Sequence, residues 1–322
     1  MQELLNISDH ACDTAGILGG EPAHLAEILH AFGISGIELM LTGYGEPDFF
    51  PRAAVEGVHL RFWPNWLDFW LGNEEELQRE FGSEENIAAV FAVDRDAWLD
   101  LWRENMQEAA RVGARYVVFH VANARSWELK RRQFTYGSAQ VIDAAAEVVN
   151  AVSAALPDDC LLLYENLWWP GLTLTEPELA ARLLERTQHA RTGFVLDTGH
   201  MMNTETRLKN EKEAVGYILQ NVKNLGALRE RIFAMHLHRS LSGDFVQKSM
   251  MKAQKEAPCP LDFEEAYGYV SAVDRHEPFQ TDAVRRLVET IAPDFLVHEF
   301  LISSRTEWQE KVQRQRASLW GR

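Results

Sequence analysis

Gly193-Phe-Val-Leu-Asp197-Thr-Gly-His200 is the segment on which the fold turns. Phe194, Val195 and Leu196 are apolar at consecutive positions, so both faces of this segment call for burial. A strand buried on both faces belongs to a parallel sheet with helices packed on it. The run ends on a carboxylate, with a histidine three residues on. A buried carboxylate is costly unless it is paired or bound to a metal.

The same pattern of short apolar runs recurs on either side along the chain. The strands predicted are 4–8, 36–41, 57–62, 115–121, 160–165, 193–197, 232–238 and 295–300. Amphipathic segments separate most of them. Alternating β and α predicts a parallel sheet with helices outside. Eight such units closing on themselves make an α/β fold of the (β/α)8 TIM-barrel type. The expectation is a single domain over 1–322, with long βα-loop insertions near 63–93, 201–231 and 239–270. Trp98, Trp102, Met106 and Ala109 share one face of a helix over 96–112, which Gly113 stops. Thr175, with Glu178 three residues on, reads as the N-cap of another helix. A third helix is expected over 281–292, ended by Pro293.

Composition narrows the function. The 322 residues are 46% hydrophobic and 25% charged, enough for a sizeable core. A net charge of -16 argues against nonspecific nucleic-acid binding, which needs Lys and Arg facing phosphates. Bound divalent ions would change that balance locally. Cys12, Cys160 and Cys259 are too few and too scattered for a disulfide framework or a Cys-x-x-Cys site. The opening Met1-Gln-Glu-Leu carries no signal-peptide pattern, and no apolar run approaches a membrane span. A cytoplasmic protein without a membrane partner is expected, and an oligomer is possible.

Nine residues then form one set: His59, His120, Glu165, Asp197, His200, His236, Asp274, His276 and Glu299. Most end a predicted strand, and in a β/α barrel those ends converge on the mouth where metal and substrate bind. Glu165, Asp197, His236 and Glu299 are a mixed N/O set suited to Zn2+, Mn2+, Mg2+ or Co2+. Alone, His59 and His120 are equally readable as core histidines, and Asp274 and His276 as a solvated turn.

Asp197-Thr-Gly-His200, Glu165-Asn166, His236-Leu and Glu299 resemble the metal motifs of the xylose-isomerase-like barrel superfamily. His59, His120 and Asp274-Arg-His276 are similar to the further motifs of its AP endonuclease family 2 branch, the endonuclease IV-like proteins. That resemblance implies up to three divalent ions, zinc foremost. One would take His59, His120 and Glu165; a second, Glu165, Asp197, His236 and Glu299; a third, His200, Asp274 and His276. It implies hydrolysis of a phosphoester, in abasic-site DNA or a smaller molecule, with Glu165, Glu299 and His200 catalytic. The other branch implies a single-metal sugar or sugar-phosphate isomerase or epimerase using Glu165, Asp197, His236 and Glu299. A catalytically inactive binding barrel is the reading from another class.

Around the metals the resemblance weakens. Leu167-Trp-Trp-Pro-Gly is bulky where the repair enzymes carry small residues, and the link between strands two and three is short. Arg61, two past His59, is the expected phosphate contact. Trp63, with Trp66 and Trp70, offers either a stacking surface for substrate or a lid or subunit contact. His238 shares a strand face with His236 and is expected as a substrate contact or support, whereas His298 should face away from Glu299. His10 could line the pocket; His24, His30 and His189 read as helix-surface residues. Lys248, Lys252 and Lys255 read as a solvated helix face.

Overall fold

The computed structural model describes residues 1–321. Its eight strands are β1 (Gln2–Ser8), β2 (Gly36–Met40), β3 (Val55–His59), β4 (Tyr116–His120), β5 (Leu161–Glu165), β6 (Thr192–Asp197), β7 (Ile232–Leu237) and β8 (Phe295–His298). Each pairs in parallel with the next, and β1 closes on β8 with Leu4 opposite Val297. All eight predicted strands are present. Several end earlier than the apolar runs do, at His59 rather than Phe62 and at His298 rather than Phe300.

Helices enclose the barrel. They are α1 (Pro22–Phe32), α2 (Leu67–Leu71), α3 (Glu74–Phe81), α4 (Glu84–Val90), α5 (Arg95–Val112), α6 (Ser126–Leu129), α7 (Ser138–Val152), α8 (Pro177–Arg186), α9 (Thr198–Asn203), α10 (Glu211–Asn224), α11 (Gly243–Ala253), α12 (Phe263–Val273), α13 (Ala283–Ile291) and α14 (Arg305–Trp320). The segment near 63–93 folds as α2 to α4, that near 201–231 mainly as α10, and that near 239–270 as α11 and most of α12. Short 3-10 turns replace a helix between β2 and β3. None of the described helices is long and apolar enough to cross a membrane.

Local chemistry explains the boundaries. α5 starts where the Asp94 carboxylate accepts from Ala97 N–H and stops at Gly113, whose left-handed backbone ends the helix. α8 differs from the expectation. Its N-cap is Glu176, because Pro177 is favoured at the first helical position; the Thr175 hydroxyl pairs with Thr173 instead. The third predicted helix is shorter than expected and spans Ala283–Ile291.

The barrel interior is filled in layers. Leu4, Tyr116, Val118, Leu163, Val195, Ala234, Phe295 and Val297 form one apolar cluster from alternate positions of the strands. Gly57 is needed there, since a Cβ at that position would lie 2.0 Å from the Tyr116 ring. Side chains alternate faces along a strand. One pleat above Val118, Leu163, Val195, Ala234 and Val297 therefore come His120, Glu165, Asp197, His236 and Glu299. His298, on the opposite parity, turns outward to Glu3 and to Gln315 of α14.

Candidate metal centre

The nine expected residues come together at the mouth, in three groups whose donor atoms lie within 4.8 Å of one another. In the first, His59 Nε2 lies 3.2 Å from His120 Nε2 and 3.2 Å from Glu165 Oε2. His120 Nε2 lies 2.8 Å from that same oxygen. These separations are close to the roughly 3.3 Å edge of a tetrahedron whose corners sit about 2.0–2.1 Å from a zinc ion. In the second group, His236 Nδ1 stands 3.3 Å from Glu165 Oε1, 3.4 Å from Glu299 Oε2 and 3.8 Å from Asp197 Oδ2. In the third, His200 Nε2 lies 2.9 Å and His276 Nε2 2.8 Å from Asp274 Oδ2. Glu165 thus turns one oxygen to each of the first two groups.

The polar atoms fit a cation. Buried polar atoms are almost always hydrogen-bonded. Among the described residues, Glu165 Oε1, His236 Nδ1 and Glu299 Oε2 are buried with no hydrogen-bond partner, and all three point into the second group. Two of the remaining ring nitrogens are taken up by backbone carbonyls, whereas His120 Nδ1 and His276 Nδ1 are buried without a partner. His59 Nδ1 pairs with the Leu60 carbonyl and His200 Nδ1 with the Asn166 carbonyl, both at 2.9 Å. Those bonds place the proton away from the centre and leave Nε2 free to act as a ligand.

The electrostatics are those of densely packed opposite charges. Burial pushes the Glu165 carboxyl up, but His120, His236 and His200 outweigh it and hold the group well below the usual carboxylate range. Glu299 and Asp274 are likewise held well down against burial, by His236 and His276 for the first and by His276, His200 and His238 for the second. Burial wins at Asp197, which is raised despite His200 and His238. Burial favours neutral His200 and His236, yet Asp197 and Asp274 raise the first, and Glu38, Glu299 and Glu165 the second, well above the usual imidazole range. Asp274 brings His276 up to about 9 against burial. A divalent ion held among these carboxylates would displace the histidine protons, since metal binding releases protons from its ligands.

Three features were missed from sequence or read differently. Glu38, inside β2 and 1% exposed, accepts at Oε2 from His236 Nε2 at 3.1 Å and from the Tyr116 hydroxyl at 2.7 Å. It is the carboxylate that orients His236 and leaves its Nδ1 for the cluster. Its only sequence signal is one acid in an otherwise apolar strand. His238, expected as a substrate contact or support, bonds Asp197 Oδ2 at 2.8 Å and stands beside the third donor group. Trp63 is not a stacking surface or a lid. It is 3% exposed, packs on Trp98 and Trp102, and gives its indole N–H to the Val90 carbonyl. Trp66 is buried in the same way, its N–H on Ala122 O.

Arg61 also departs from expectation. Its guanidinium stacks on Trp63 at 4.4 Å and donates to the Tyr44 hydroxyl. It lines a side cleft of about 250 Å³ with Glu104 and Glu108, a cleft that none of the nine donors lines. β3 ends at His59, so strand parity no longer aims residue 61. The aromatic residues at the mouth are others. Phe62 packs on His120 at 4.5 Å and Trp168 on His200 at 5.1 Å, with Trp169 against both Phe62 and Trp168. His10 is exposed, His189 bonds the Cys160 carbonyl from a loop, and Lys248, Lys252 and Lys255 are exposed on or just past α11.

Fold and site together define a closed eight-stranded β/α barrel with a mouth that could hold several divalent cations. The sequence profile of the xylose isomerase-like TIM barrel family matches residues 26–313, and the chain belongs to that family. Among solved structures it is similar to endonuclease IV from Thermus thermophilus, at 16% identity and TM-score 0.57, with all of both chains covered. It is also similar to 3-keto-D-glucoside 4-epimerase from E. coli, at 12% identity and TM-score 0.50, covering 99% of this chain and 97% of that one. An L-ribulose 3-epimerase matches at 12% identity and TM-score 0.50, covering 99% of this chain and 95% of that one. By sequence, no curated protein matches. At these identities the structural likeness speaks to the fold alone.

Proposed function

We propose that this protein is a divalent-metal-dependent hydrolase of a phosphoester, with ions held by neighbouring donor groups and zinc the ion best suited to the histidine-rich set. The observation that carries the reading is Glu165, which directs Oε2 to His59 and His120 and Oε1 to His236. A carboxylate shared in this way would help hold an ion in each group, and a single-metal isomerase has no need of the first group. Divalent ions there supply charge that draws in phosphate oxygens, makes water a better nucleophile and stabilises the leaving oxygen.

The protein's own groups do the rest. Glu299, with 12% of its side chain exposed, can meet incoming water and orient it for attack on phosphorus. His200, fixed by the Asn166 carbonyl, holds its Nε2 toward Asp274. Phe62, Trp168 and Trp169 narrow the approach and exclude bulk water from the reacting bond. That aromatic rim, with the net charge of -16, favours a small phosphoester over duplex DNA.

Elemental analysis of gently purified protein tests the reading, together with turnover of small phosphomonoesters and phosphodiesters, abasic-site DNA and a ketose panel. Near three ions per chain and phosphoester cleavage are expected. One ion per chain with ketose isomerisation or epimerisation, and with His59, His120 and Asp274 dispensable, would overturn it.

A further inference from the structure

Three residues in register on neighbouring strands stand behind the second donor group. Glu38 of β2 lies opposite Gly57 of β3, and Gly57 opposite Tyr116 of β4. Gly57 has no side chain, so the Tyr116 ring crosses over it. A Cβ there would lie 2.0 Å from Tyr116 Cζ, the carbon that bears the hydroxyl. The ring is fully buried and packs on Phe295 at 4.6 Å. Its hydroxyl thereby reaches past β3 and donates to Glu38 Oε2 at 2.7 Å. Burial and the Glu38 carboxylate push this phenol well above its usual range, so it keeps the proton it donates.

Glu38 has little else to hold it. Among the described residues its only hydrogen-bond partners are the Tyr116 hydroxyl and His236 Nε2, both at Oε2, and its Oε1 has none. Without the hydroxyl the carboxylate could turn about its own side chain, and His236 Nε2 would lose a fixed acceptor. The other four donor histidines are backed differently. His59 and His200 rest on backbone carbonyls, and the outer nitrogens of His120 and His276 on nothing. Of the five, His236 has a carboxylate behind the nitrogen that faces away from the donors, and a carboxylate there raises ligand basicity as well as fixing the ring.

We propose that Tyr116 is a positioning residue: through Glu38, its hydroxyl fixes His236 with Nδ1 toward the second donor group and sets how tightly that group holds its ion. The inference rests only on an ion in the second group, which the hydrolase reading and the single-metal alternative share.

Tyr116→Phe keeps the ring and removes the hydroxyl. Stripped wild type, Tyr116→Phe, Glu38→Gln and the double variant are titrated with Zn2+ against a chromogenic chelator. Tyr116→Phe should weaken one ion by at least about tenfold, the scale on which supporting contacts change metal affinity. It should add little to Glu38→Gln, because both act through one carboxylate. Tyr164→Phe is the control for a lost buried hydroxyl. That ring is also fully buried, on the other face of β5, and donates to Thr187 Oγ1 at 2.8 Å. Unchanged affinity in Tyr116→Phe, an equal loss in Tyr164→Phe, or full additivity with Glu38→Gln overturns the proposal and leaves the multinuclear reading intact. A wild type that holds one ion, weakened by Tyr116→Phe, supports the proposal and overturns the multinuclear reading; a wild type that holds none overturns both. Melting of the stripped proteins shows whether Tyr116→Phe folds. If it does not, 3-fluorotyrosine placed at position 116 decides. Its fluorine resonance should move as Zn2+ loads the otherwise wild-type chain and not in Glu38→Gln; no movement, or equal movement in both, overturns the proposal.

Discussion

Two layers of the barrel interior lie one pleat apart, and their chemistry is opposite. The lower layer, with Val118, Leu163, Val195, Ala234 and Val297, consists of apolar side chains in mutual contact. The upper layer, two residues later on the same strands, consists of His120, Glu165, Asp197, His236 and Glu299. Burial of the lower layer stabilises the fold. Burial of the upper layer costs desolvation, offset only by opposite charges and by whatever cation the donors bind. Stability and function are therefore stacked along the same five strands, β4 to β8, and can be perturbed separately.

The largest expected effect comes from the residue shared between donor groups. Glu165→Gln should strip ions from the first two groups and lower phosphoester turnover by at least about 10²–10³-fold, the loss seen for a single oriented electrostatic donor. The stripped variant should melt lower than stripped wild type, because His120, His236 and His200 lose the charge that compensates them. Elemental analysis and a melting curve check both; a variant that keeps its ions would break the contrast between layers. One pleat below, Leu163→Ala should cost about 2–5 kcal/mol of unfolding free energy in a denaturant titration while ion content stays the same. Ion loss in that variant would mean the two layers are not separable.

A smaller effect is expected beneath the second group. Glu38→Gln leaves the shape of β2 but weakens the hold on His236 Nε2, and should lower metal affinity by about 10–100-fold. Competition with a chromogenic chelator reads that change.

A pH series separates the layers further. In chelator-stripped protein, His59, His200, His236 and His276 have raised pKa values, so their stabilising contribution is complete below the usual imidazole value of 6.5. It is lost as pH rises, in the case of His276 through about 9. Glu165 and Glu299 are depressed, so theirs is complete above the usual 4.5 and is lost as pH falls through their lower folded values. Stripped protein should therefore be most stable between these limits and should weaken toward pH 9, while loaded protein releases its ions on acidification. Leu163→Ala should keep the same profile, displaced downward; melting temperature against pH measures both. The smallest effect belongs to neither layer. Lys248→Ala on the outer face of α11 should stay within about 0.5 kcal/mol of wild type by the same measurement.

How far the sequence carried depends on the range of the interaction. Strand identity and the inward aim of Glu165, Asp197 and His236 follow from the pleat, a rule that acts over two residues. The same rule placed His298 outside. It misled where the strand had already stopped. Arg61 lies two residues past the end of β3, and its guanidinium settled on Trp63 and Tyr44. The tryptophans read as surface because indole carries a polar N–H; partners at Val90 and Ala122, far along the chain, let them be buried.

The eight-unit barrel was legible in the chain alone, because periodicity and burial are written locally; of the nine residues that meet at its mouth, His59, His120, Asp274 and His276 were set apart from core histidines and a solvated turn only by the family resemblance. Which oxygen of Glu165 serves which group was not legible, nor was the orientation of His236 by Glu38 from 198 residues away. The folded barrel likewise placed His238 with the third group, against a glycine on the neighbouring strand's end. Those are distances between segments remote in sequence, and closure of the barrel sets them.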